Sequence, residues 1–92
     1  MTHDEFAARL DGDGFSLPRP MTYEPNQKPP MHAHEFDARL LVTGGELTMA
    51  LDDGAVVLGP GAECEVPAGT LHSEQGGPSG ATAVLATRDT AA

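Results

Sequence analysis

Turn signals cut this chain into pieces too short for a helical protein. After Pro30 they come as Gly44-Gly45, then Asp52 to Gly54, Gly59 to Gly61, Pro67 to Gly69 and Gly76 to Gly80. The runs between them read as strands: Phe36 to Thr43, Glu46 to Leu51, Ala55 to Leu58, Ala62 to Val66, Leu71 to Glu74 and Ala81 to Arg88. Glu46 to Leu51 alternates cleanly, with Leu47, Met49 and Leu51 on one face. On this reading Gly44-Gly45 turns the chain, "DDG" closes a hairpin and "GGPSG" is a loop. Upstream, Pro18, Pro20 and Pro25 break "FSLPRPMTYEP" into extended pieces suited to an edge strand. About six to eight short strands spaced roughly 8 to 12 residues apart predict an all-β antiparallel sandwich or barrel.

The first residues differ. Thr2 can cap a helix reaching Leu10, with Glu5 as its capping-box partner and Phe6 and Leu10 on one face. "DGDG" (Asp11 to Gly14) ends it. The last four residues, 89–92, read as a frayed tail.

Composition narrows the function classes. Ninety-two residues with 39% apolar side chains make one domain with a thin core. A second copy is the simplest way to bury more apolar area, so a homodimer is expected. Five basic residues against 14 acidic ones leave a net charge of -9. Such a chain repels nucleic-acid phosphates and anionic membrane surfaces alike. No apolar run approaches the ~20 residues of a membrane span. "MTHDEFAARL" carries acids where a signal peptide needs bases, so a cytoplasmic protein is expected. The single Cys64 has no internal disulfide partner, which suits a reducing compartment.

The chemistry-bearing stretch is "MHAHEFDARLLVTGG", Met31 to Gly45. In an extended chain His32 and His34 share a face, and Phe36, Ala38, Leu40 and Val42 continue it. That register places two imidazoles at one end of an apolar interior. An H-x-H pair alone is commonly exposed and idle. A second stretch, "GAECEVPAGTLH" (Gly61 to His72), adds Gly61, Pro67, Gly69 and His72 at spacings that composition alone would produce in about one such chain of 200.

Together these residues resemble the two motifs of a small single-domain cupin of the Cupin_2 kind. The family's first motif reads G-x5-H-x-H-x3,4-E-x6-G, and Asn26, His32, His34, Ala38 and Gly45 stand at its places. The second reads G-x5-P-x-G-x2-H-x3-N, and Gly61, Pro67, Gly69, His72 and Gly76 stand there. "EFAARLDGDGF", "FDARLLV" and "VPAGTLHSEQGGPSG" are similar to small bacterial cupins of largely unassigned function. The resemblance implies a jelly-roll barrel over residues 15–88, behind a helical segment over residues 1–14. It also implies that His32, His34 and His72 ligate Fe, Mn, Ni, Cu or Zn.

The motif-one glutamate is missing, because Ala38 or Arg39 occupies its place. Asp37 is a candidate fourth ligand. It and Glu35 have the wrong parity, so either would need a bulge to turn inward. Glu74 shares parity with His72 but lies ~7 Å further along the strand. That distance favours a role as general acid or base, unless its side chain folds back. Asn26 in place of Gly keeps access to the left-handed backbone region. Gly76 in place of Asn takes a polar group from the pocket rim. Cys64 reads as a small apolar filler, and Tyr23 and Met31 as core or rim. The readings in competition are a metal-dependent enzyme on a small molecule, dioxygenase- or isomerase-like; a non-catalytic small-ligand binding or sensing barrel; and an empty structural barrel.

Overall fold

Thr2 starts the helix as its sequence predicts. In the computed structural model, which describes residues 1–90, helix α1 spans His3–Gly12. The Thr2 hydroxyl accepts from the Glu5 N–H at 3.1 Å, and the Glu5 carboxylate accepts from the Thr2 N–H at 3.1 Å. Thr2→Ala is expected to cost about 1 kcal/mol, read by urea unfolding. Among the described residues no helix is long and apolar enough to cross a membrane.

Five antiparallel strands follow: β1 (Arg19–Tyr23), β2 (Phe36–Leu51), β3 (Gly54–Leu58), β4 (Glu63–Val66) and β5 (His72–Asp89). The count is lower than predicted because two pairs of predicted strands are each one long strand. Gly44-Gly45 does not reverse the chain. It sits inside β2, where the ladder to β5 shifts register between Val42 and Gly44 and again between Gly45 and Leu47. "GGPSG" is likewise no connecting loop. Gly45 pairs with Ala81 and Leu47 with Gly76, so the single Glu46 faces residues 77–80. This wide bulge bends both long strands at the same level. Asp89 also belongs to β5, paired with Phe36, and the Thr90 hydroxyl donates to the Glu35 carbonyl. The predicted tail is therefore tied down through Thr90; residues 91–92 lie outside the described residues.

The bend divides the ladder into two layers. In the first, β1 pairs with the second half of β5, which pairs with the first half of β2, which pairs with β4. In the second, the first half of β5 pairs with the second half of β2, which pairs with β3 through the Asp52-Asp53 turn. The edge position expected for the proline-rich segment is that of β1.

Side-chain parity then sorts the core. Ala38, Leu40, Val42, Val66 and Ala81 from the first layer meet Leu47, Met49 and Leu58 from the second, forming a jelly-roll interior. Leu41 and Ala86 point the other way and are covered by Phe6, Leu10 and Phe15. Helix α1 thus closes the outer face of the first layer. Phe15 also lies between two guanidinium groups, Arg39 at 4.3 Å and Arg88 at 4.5 Å from its ring centre.

Candidate metal centre

His32 and His72 meet through the backbone before their side chains meet. Each donates its N–H to the other's carbonyl at 2.9 Å, which adds His32 as an isolated bridge at the start of β5. Residues paired directly across an antiparallel ladder project to the same side. Their rings lie 4.5 Å apart, centre to centre. His34, two residues on, projects with His32; its ring is 5.0 Å from that of His32 and 5.3 Å from that of His72. It also stacks on Phe36 at 4.7 Å.

The "PAG" turn holds this arrangement in place. The Gly69 N–H donates to the His34 carbonyl at 2.8 Å, and the Ala68 N–H donates to Asp37 Oδ1 at 2.9 Å. Gly69 takes a φ of 82°, a left-handed value that explains the glycine. The two sequence motifs are therefore halves of one structure, since the turn of the second clamps the backbone of the first.

One nitrogen from each of His32, His34 and His72 lies within 4.8 Å of the others. Neighbouring ligands around one ion with ~2.1 Å bonds are ~3.0–3.4 Å apart, so the three rings close in on a common centre when an ion binds. Their protonation also suits ligation. His72 Nδ1 is 2.8 Å from the Thr70 carbonyl, and His32 Nδ1 is 3.0 Å from the Pro30 carbonyl. A carbonyl only accepts, so each Nδ1 carries a proton and Nε2 is the nitrogen each ring has available for a metal. His72 is 1% exposed, and its buried Nε2 has no hydrogen-bond partner. Burial, with the neighbouring imidazoles of His32 and His72, lowers the pKa of His34 and favours its neutral form.

The carboxylates fall differently from expectation. Asp37 is not with the histidines. β2 is regular there, so Asp37 faces outward, where its Oδ2 accepts from Arg88 at 2.7 and 3.1 Å. With Oδ1 on Ala68, both oxygens are occupied, and the candidate fourth ligand is instead a strut under the turn. Arg39 pairs with Asp13 at 2.7 Å and Glu65 at 2.8 Å. The Ala68 N–H, then Arg88, hold the Asp37 carboxyl below its usual 3.8. A depressed carboxylate stabilises the fold above its unfolded pKa, and this is lost as pH falls through the lower folded value. Asp37→Asn is thus expected to lower the unfolding midpoint at neutral pH, to converge with wild type in strong acid, and to leave metal stoichiometry unchanged.

Glu74 does fold back. Its Oε1 is 3.1 Å from His72 Nε2 and its Oε2 is 3.6 Å from His32 Nε2. Burial, then the charge of Glu74, pushes Tyr23 up to about 12, so its hydroxyl stays a neutral phenol. The same two causes lead those that raise the Cys64 thiol, which packs against the core as expected. Gly76 is no lost rim group: a Cβ there would collide with the Glu24 carbonyl, so an asparagine does not fit. Asn26 takes a φ of 59°, the left-handed conformation expected of it. A cleft of about 410 Å³ between Leu51, Asp52, Asp53, Gly69, Thr70 and Leu71 is lined by none of the three histidines.

Comparison with known proteins agrees with this architecture. The Cupin_2 cupin-domain family model matches residues 20–84. No curated protein matches. A Rhizobium leguminosarum protein of unknown function superposes with a TM-score of 0.74 at 20% identity, covering 92% of each chain. A cupin superfamily protein from Desulfitobacterium hafniense gives 0.71 at 19% identity, covering 85% of this chain and 70% of that one. A Neisseria meningitidis protein gives 0.68 at 21%, covering 83% and 75%. With the family match spanning most of the barrel and both motifs meeting at its three histidines, the chain belongs to the cupin family.

Proposed function

We propose that this cupin binds a divalent first-row transition metal through His32, His34 and His72 and presents it to a small molecule entering from the barrel end. The observation that carries the reading is His72 Nε2. It is buried and makes no hydrogen bond, while its own Nδ1 is engaged by the Thr70 carbonyl, which leaves Nε2 as the nitrogen available to a metal. A buried acceptor left without a partner costs about 1–3 kcal/mol, and a metal removes that cost.

When bound, such an ion acts as a Lewis acid toward a substrate oxygen or water. The chain's own groups do the rest. The carbonyls of Pro30 and Thr70 set the tautomer and tilt of two rings. Phe36, stacked on His34, keeps the inner side apolar and dry. The family's missing glutamate does not remove the donor set, because three imidazoles suit Zn, Cu, Fe and Ni alike. The test is elemental analysis of protein purified without a His tag. A single transition-metal ion per chain is expected. Protein that carries none, and takes none up from any first-row divalent salt, sinks the reading.

A further inference from the structure

We propose that Glu74 is itself a ligand of this metal, supplying from the opposite layer of the barrel the carboxylate that Ala38 lacks. The inference rests on the three-histidine reading above and changes its coordination set. Ala38 belongs to the first layer, where it pairs with Val66 and Thr87 and is buried in the apolar core. Glu74 belongs to the second layer, where it pairs with Met49. Its side chain turns back along β5 and sets one oxygen toward each of two imidazoles.

Three observations carry this. The first is donor type. His32 and His72 each turn Nδ1 to a backbone carbonyl, so Nε2 is the nitrogen each presents toward Glu74. A carboxylate and two imidazole nitrogens converging on one point are the donor types that a transition-metal ion takes.

The second is distance. Two donors bound to one ion at ~2.1 Å are ~3.0 Å apart at a right angle and ~3.4 Å apart at the tetrahedral angle. The separation of 3.1 Å from Glu74 Oε1 to His72 Nε2 falls within that range, and that of 3.6 Å from Oε2 to His32 Nε2 lies just beyond it. A charge-assisted N–H to carboxylate bond is shorter, ~2.7–2.9 Å.

The third is direction. At 3.1 Å a proton on His72 Nε2 would make a hydrogen bond to Glu74 if the ring pointed at it, yet this nitrogen makes none. The ring therefore does not aim its Nε2 directly at the carboxylate, so the close approach is not a hydrogen bond. The Glu74 side chain is 19% exposed, against 1% for His72, so it sits on the solvent side of the pair.

Cobalt(II) tests the proposal, because its visible spectrum reports ligand type and geometry. Wild type, Glu74→Gln and His72→Ala are titrated with Co2+ and then with competing Zn2+. Glu74→Gln keeps the shape and removes the charge. It is expected to weaken Zn2+ binding by about 100-fold or more, beyond what loss of an outer-shell partner costs, and to shift the Co2+ bands, while His72→Ala loses binding altogether. Glu74→Gln with wild-type affinity, or with weaker affinity but unshifted bands, overturns the ligand role and leaves the histidine site standing. Wild type that binds neither ion overturns both. Glu74→Asp keeps the charge and shortens the reach, so a Co2+ spectrum identical to wild type would also overturn the proposal.

Discussion

His72→Ala is expected to abolish metal binding, not merely weaken it. Losing an outer-shell partner of a metal ligand costs about 10–100-fold in affinity, and losing the ligand itself costs more. His72 is also the rigid member of the three. It is 1% exposed, its backbone bonds both ways with His32, and its Nδ1 is held by Thr70. His32, by contrast, has a side chain 35% exposed. The clearest readout is thermal. A ligand that binds only the folded state stabilises it by about 2.7 kcal/mol at a hundred times its Kd. At a hundred times its Kd, Zn2+ is expected to raise the wild-type Tm by about 10–20 °C, and to leave that of His72→Ala unchanged. His72→Asn fills part of the space the alanine leaves and separates metal loss from cavity cost. If it still takes up a single ion at wild-type affinity, His72 is not a ligand.

The histidines were legible because spacing carries them. His32 and His34 share strand parity, and the Gly61–Pro67–Gly69–His72 spacing brings the third from a separate turn. Parity states which face a residue takes, and it placed Leu40, Met49 and Cys64 correctly. It says nothing about reach. Glu74 has the parity of His72, but only its rotamer decides whether the carboxylate stands ~7 Å away or folds back onto the rings. Asp37 was open to misreading for another reason. Its partner Arg88 lies 51 residues away, and that pairing follows from the register of β2 against β5. Sequence alone does not set that register, because bulges interrupt it. Residues 77–80 look like a loop by composition, and only the pairing of Gly45 with Ala81 shows that they bulge from a continuous strand.

Gly45→Ala is expected to be the most damaging small substitution in the chain. Gly-Gly signals a reversal in sequence, yet here it permits two backbones to touch. Gly45 has a φ of 68°, which an alanine adopts only with strain. A Cβ there would also strike the Gly80 carbonyl, which is backbone and cannot swing aside. Gly80 in turn sits against the Tyr23 carbonyl of β1, so displacement passes to the edge strand. Strained backbone costs about 1–3 kcal/mol and forced overpacking a similar amount, so a loss of about 3–5 kcal/mol is expected. A chain of this size has a total stability of about 5–14 kcal/mol, so the variant is left marginal. At 4–8 °C per kcal/mol, Tm falls by about 12 °C or more. Gly12→Ala is the control, since no atom lies within 4 Å of its added Cβ and its φ is not positive. Its Tm is expected to match wild type. Were Gly45→Ala to melt with it, the close approach at the bend would not be what holds the two layers in register.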